Sequence, residues 1–269
     1  TGLRRDYGYA DINSAFKDPS TGKLKLKYGW AAKELLDSDY IDHLEGKKSI
    51  GVQPCNDDGL SNFGAIDIDS DEYDNFDLRK YLEIIDKKNI PVVPVKSKSG
   101  GLHIYVFFKE PVKASFVRNF LDKLLFTFSL KASTEIFPKQ TQLGTGSDGK
   151  FINGNFINLP YYNRNERVGL NLDGTEFTFE QFLKVVEANK KTKEEIEEFA
   201  TELMRLELTG GADEFADGPV CLQRLSKSKL DDYRDRFIYN YMVFAKKKYP
   251  DNWEEKLLEG ARNYIVYDN

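Results

Sequence analysis

The chain is poor in the residues on which small disulfide- and zinc-built folds depend. Its 269 residues include two cysteines, Cys55 and Cys221, two histidines, His43 and His103, two tryptophans and two methionines. The cysteines lie far apart and neither belongs to a CxxC pair, which excludes a disulfide framework and a zinc ribbon. Such sparing use of cysteine fits an intracellular, cytoplasmic compartment. No apolar run approaches the length of a bilayer span, and TGLRRDYGYADIN lacks the charged-then-apolar order of a signal peptide, so no membrane partner is expected. The missing initiator methionine points to a piece excised from a longer protein, and no internal repeat is found.

Basic charge is also in deficit. A formal net charge of -5 counts against a protein that simply coats nucleic acid. The balance is uneven, however: between Pro94 and Lys150 nine lysines and arginines outnumber the acids Glu110, Asp122, Glu135 and Asp148. The 19 Phe and 15 Tyr read first as core and second as base-stacking platforms.

The middle of the chain alternates strand and helix patterns. FGAIDID (63–69) is β-rich with period two, and DNFDLRKYLEIIDKKN carries Leu78, Tyr81, Leu82 and Ile85 at helical spacing behind an Asx cap at Asp74 or Asn75. A strand VVPVK (92–96) and a turn SKSGG lead into LHIYVFF. A helical stripe of Phe116, Phe120, Leu124 and Phe128 and a short strand TEIFP (134–138) follow. The order is β-α-β-β-α-β, that of RNA-recognition motifs, in which the first and third strands are antiparallel neighbours and the fourth flanks the first. The fold class expected is α+β: an RRM-like catalytic core with a small N-terminal α/β module and a C-terminal helical region. The boundaries are a catalytic domain over 1–178, made of a module 1–62, the core 63–138 and a loop and strand 139–165, and a helical accessory domain over 179–269. Within 1–62, YGWAAKELLDSDYIDHL reads as a helix and KSIGVQP as a strand.

This topology brings three carboxylates and one histidine together. Asp67 and Asp69 end the first strand, while His103 and Glu135 begin the third and fourth. Side chains two apart share a face, so Asp67, Asp69, His103 and Tyr105 are expected on the open side of the sheet. A DxD pair with a third carboxylate is a ligand set for two hard cations, Mg2+ or Mn2+, of the kind that stabilise the entering and leaving oxygens of nucleotidyl transfer. A calcium loop shares the opening Asp67, Asp69, Asp71, but its sixth and twelfth positions here are Glu72 and Leu78, not Gly and Glu. Beside a triphosphate, His103 would donate to phosphate oxygens and Gly100 and Gly101 would let the backbone approach. Lys96, Lys98 and Lys139 are candidate phosphate contacts.

The array GAIDID, SKSGGLHIY, EIFPKQ and GNFINLPYY resembles the archaeo-eukaryotic primase superfamily, especially the primase-polymerases of phages, plasmids and mobile conflict systems. The resemblance covers residues 45–165 best. It implies that Asp67, Asp69 and Glu135 are catalytic metal ligands, that His103 contacts the incoming nucleotide with Ser99, Gly100, Gly101 and Lys98 around it, and that Lys139 and Gln140 lie near that nucleotide. Family members often carry Ser two places before the histidine, where this chain has Gly101. The substrates implied are a single-stranded template and nucleoside or deoxynucleoside triphosphates, with a helicase fused or working in trans. The host cytosol of a mobile element is the implied compartment, and zinc is not. The helical tail, with Lys246, Lys247 and Arg234, is expected to hold nucleic acid.

Two other readings remain. A metal-dependent nuclease or rolling-circle initiator would want paired histidines near a tyrosine nucleophile, and His43 and His103 show no pairing. A non-catalytic RRM-like binding module would have no use for three converging acids, which repel phosphate unless cations intervene.

Overall fold

Alternation along FGAIDID buries Phe63, Ala65, Ile66 and Ile68 and leaves Asp67 half-buried, the mark of a strand covered on both faces except at its end. The computed structural model describes residues 6–266 apart from 20, 21, 23, 74, 75, 148, 150, 151, 209–212, 217, 228 and 231. In chain order its elements are β1 (Tyr7–Lys17), β2 (Leu24–Ala31), α1 (Asp37–Leu44), β3 (Ser49–Val52), β4 (Leu60–Ile68), α2 (Leu78–Lys87), β5 (Val93–Lys96), β6 (Leu102–Lys113), α3 (Ala114–Thr127), β7 (Glu135–Phe137), β8 (Ile157–Asn158), α4 (Phe179–Asn189), α5 (Lys193–Leu208), α6 (Val220–Leu225), α7 (Arg234–Lys248) and α8 (Trp253–Tyr264). Two compact units result, Thr1–Glu197 and Glu198–Asn269. The division falls inside α5, beyond the boundary expected after residue 178, because Phe182 of α4 packs on Tyr161 in the core of the first unit.

The α+β class and the β-α-β-β-α-β order both hold. One sheet runs β5-β6-β4-β7 with β4 antiparallel to β6 and to β7. Its helix-side face, with Ile66, Ile68, Ile104 and Val106, packs on α3, and the two layers meet closely at Gly64: a Cβ there would stand 2.3 Å from Val117 Cγ1. The other face is less open than expected. Ala65, Val93, Tyr105 and Phe137 are buried in a second core with Val52, Ile157, Tyr161 and Val168, so Tyr105 is a core residue, 3% exposed. The end of the sheet that carries the carboxylates stays accessible, as do Lys109 and Lys113 toward the far end of β6.

The N-terminal module also differs from expectation. Tyr28 and Trp30 lie in β2, not in a helix, because β2 pairs along β1 and their side chains alternate with Lys27 and Gly29; the helix begins at Asp37. The second sheet, β2-β1-β3-β8, takes its last strand from the segment after the core, so it is not built from 1–62 alone. His43 fastens this arrangement: Nδ1 accepts from the Ile50 amide and Nε2 donates to Pro160 O, each at 3.0 Å. The cap expected at Asp74 or Asn75 lies outside the described residues, and α2 is capped by Asp77, whose carboxylate accepts from the Arg79 amide.

The second unit has an aromatic core. Phe215 meets Phe237, Tyr241, Phe244 and Tyr264 at 5.2–6.3 Å between ring centroids. Gly260 lets α8 close on α7, since a Cβ there would lie 1.7 Å from the Tyr241 ring. Among the described residues no helix is long and apolar enough to cross a membrane.

Candidate active site

Asp67 stands directly across from His103 on one neighbouring strand and from Glu135 on the other. His103 Nε2 donates to Asp67 Oδ1 at 3.0 Å, and its Nδ1 lies 3.4 Å from the Tyr105 hydroxyl. Burial pushes the Tyr105 phenol well up, so it stays protonated and donates to that nitrogen, which fixes the imidazole with its Nε2 proton toward the carboxylate. Glu135, exposed on β7, is paired with Lys139 at 2.5 Å. Asp69 lies exposed just past β4, and its pKa is raised by partial burial and then by the charges of Asp67, Asp71 and Glu135. The four acids therefore repel one another, and Asp67 and Glu135 have taken His103 and Lys139 as partners.

As the side chains stand, no three His, Cys, Asp or Glu among the described residues are gathered closely enough to hold a metal ion. The donor chemistry nevertheless fits a hard divalent cation: three carboxylates stand at adjoining strand ends, and the pKa of one, Asp69, is raised by partial burial and then by its like-charged neighbours. To hold such an ion, Asp67 would have to part from His103 and Glu135 from Lys139.

The turn before β6 is shaped by backbone crowding. Gly100 has φ +86°, and a Cβ on Gly101 would lie 2.1 Å from Ile68 O. Gly101 is therefore the residue the turn requires, because the end of β4 passes directly beneath it. Hydroxyls remain nearby: Ser97 and Ser99 Oγ lie 3.2 Å apart, and both residues line the cleft with Lys98. Lys98 pairs with Glu166 at 3.5 Å. Gln140 does not line the cleft. Its amide is committed to Asn155, accepting from the backbone N–H at 3.0 Å and donating to Oδ1 at 2.6 Å, which pins the loop that does.

These groups open onto a cleft of about 930 Å3 between the two sheets, all within the first unit. Sequence reasoning missed several of its walls. Arg167, 7% exposed, donates to Leu159 O and to Ser49 Oγ at 2.9 and 3.2 Å, and burial lowers its pKa. Tyr28, Trp30 and Phe156 face the cleft from the second sheet; the period-two spacing of Leu26, Tyr28 and Trp30 was the available signal.

In the second unit the three expected nucleic-acid contacts part ways. Arg234 donates to Val266 O at 3.4 Å, and Lys246 lies 4.3 Å over the Trp253 ring. Lys247 is exposed on α7.

A search of curated proteins finds no match. Among solved structures, the archaeo-eukaryotic primase domain of the cyanophage S-2L primase-polymerase matches at 14% identity and a TM-score of 0.34, over 68% of this chain and 89% of that one. The model of the archaeo-eukaryotic primase domain of TOTE conflict systems matches residues 8–199, a span that takes in both sheets and the whole cleft. The chain therefore belongs to that primase family, whose general chemistry is primase- and polymerase-type nucleotidyl transfer.

Proposed function

We propose that the first unit joins nucleotides on a single-stranded template, with Asp67, Asp69 and Glu135 holding two divalent ions, Mg2+ or Mn2+. The observation that carries this is the strand register, which sets Asp67 opposite both His103 and Glu135. Two such ions, when bound, would stabilise the entering 3′ oxygen and the departing pyrophosphate.

The chain's own groups then have distinct tasks. His103 would turn its Nε2 proton from Asp67, 3.0 Å away, to a phosphate oxygen, while Tyr105 keeps the ring oriented. Lys139, freed from Glu135, supplies positive charge beside the same phosphates, and Arg118 fixes its segment by donating to Pro138 O and Lys139 O. The 97–101 turn presents Ser97, Lys98 and Ser99 at the cleft, with Gly100 and Gly101 bringing the backbone close to the triphosphate. Lys247 and, after leaving Trp253, Lys246 are the template contacts of the second unit; Arg234 supports the end of the chain near Val266. A helicase that supplies single-stranded template is the partner this reading calls for.

The gathering of Asp67, Asp69 and Glu135 at adjoining strand ends speaks against a non-catalytic binding module, since acids so placed would repel phosphate without cations. The test is incubation with single-stranded template, all nucleotides and Mg2+ or Mn2+, with and without primer. Wild type is expected to incorporate nucleotides, and folded Asp67→Ala or Asp69→Ala to lose incorporation. Full synthesis by the double alanine variant would overturn the assignment.

A further inference from the structure

The wall of the cleft opposite the carboxylates is built from small residues and rings. β1 places Gly8, Ala10 and Ile12 on one face, with Tyr7 buried on the other, and β2 places Leu26, Tyr28 and Trp30 on the cleft side. Phe156 is seated flat across two strands. A Cβ on Gly8 would stand 2.2 Å from its ring and a Cβ on Gly51 2.1 Å, so only glycine at both positions admits it. Tyr28 and Trp30 meet this ring edge-on, at 5.8 and 5.2 Å with interplanar angles of 61° and 86°. Tyr28 is 60% exposed.

We propose that this wall is a base-stacking platform for the single-stranded template, with Tyr28, Trp30 and Phe156 taking successive bases. Rings on alternate residues of one strand recur about every 6.8 Å, a spacing that consecutive bases of an extended strand can adopt. The span favours a strand over a lone nucleotide, because three rings offer more stacking surface than one base covers. The arrangement of charge favours it too: Lys98 and Lys139 lie with the acids, whereas β2 turns Leu26, Tyr28 and Trp30 to the cleft, and Arg167, which also lines it, is committed to Leu159 O and Ser49 Oγ. The identity of the strand as template rests on the nucleotidyl-transfer reading; the stacking itself does not.

Trp30 makes the wall measurable. The only other tryptophan, Trp253, lies in the second unit, so Trp253→Phe leaves Trp30 as the sole reporter in the full chain. Oligothymidylate titrated without divalent ions, so that no chemistry intervenes, should quench Trp30 emission, and an abasic strand of equal length should not. Tyr28→Ala, at an exposed position, should weaken strand binding about five- to hundredfold and leave the affinity for a nucleoside triphosphate with Mn2+ within about twofold. Unchanged strand affinity in Tyr28→Ala, or equal quenching by the abasic strand, would overturn the proposal. Quenching by free triphosphate alone would overturn it as well, by assigning the wall to the incoming nucleotide. Retained synthesis by Asp67→Ala would instead sink the nucleotidyl-transfer reading and leave the stacking measurement standing.

Discussion

Lowering the pH should loosen the fold through His43. This side chain is 2% exposed, and both ring nitrogens are committed: Nδ1 accepts from Ile50 N–H, so Nε2 must carry the proton it donates to Pro160 O. A second proton on Nδ1 would confront the Ile50 N–H donor to donor. Burial, with the Arg167 charge adding to it, accordingly lowers the His43 pKa from 6.5 to about 4. Because the folded value lies below the unfolded one, this contribution to stability is complete above pH 6.5 and is lost as pH falls toward 4. The interval corresponds to about 3 kcal/mol. Chemical denaturation at pH 7.5, 6, 5 and 4.2 measures it, with His43→Gln as the partner variant, which can keep a donor and an acceptor but has nothing to titrate. Carboxylate contributions common to both proteins cancel in the difference, so wild type should lose about 3 kcal/mol more than the variant across that range. Parallel profiles would refute the assignment of the buried neutral imidazole.

Other consequences are equally direct. Asp69→Asn removes one of four mutually repelling charges at an exposed position, so in EDTA it should raise stability by about 0.5–1 kcal/mol, or a melting shift of about 1–4 °C, while nucleotide incorporation disappears; a lower melting temperature would contradict the charge argument. Gly101→Ala forces a Cβ to 2.1 Å from Ile68 O and should cost about 1–3 kcal/mol by denaturant midpoint. A fully stable alanine variant would show that the turn is not confined. Gln140→Ala should act through the loop it pins, raising the KM for nucleotide with little change in kcat, and an equal fall in kcat with unchanged KM would place Gln140 at the chemistry instead.

The strand that carries Asp67 was readable because period two is unambiguous there: once β4, β6 and β7 are ordered, parity alone sets Asp67 against His103 and Glu135. The same parity misjudged Tyr105, since what covers a sheet face is decided by distant segments, here Val52, Ile157 and Tyr161. β1 escaped notice because its pairing with β2 breaks register between Asp11 and Phe16, which interrupts the alternation. The misplaced helix at Tyr28 had a related cause: YGWAAKELL satisfies helical spacing until a neighbouring strand is available. Arg167 carried no local signal at all, its burial depending on Ser49, more than a hundred residues earlier. Nothing local marks Gly101 as sterically required, because the atom that confines it, Ile68 O, comes from another strand.

The account stands most directly on cation binding at the strand ends. Electron paramagnetic resonance of Mn2+ titrated into the wild-type chain with a non-hydrolysable nucleoside triphosphate should report two bound ions, and the Asp67→Ala, Asp69→Ala variant, folded by circular dichroism, should hold neither tightly. Undiminished Mn2+ binding by that variant would mean that the ions sit elsewhere and that Asp67, Asp69 and Glu135 are not the centre of nucleotidyl transfer.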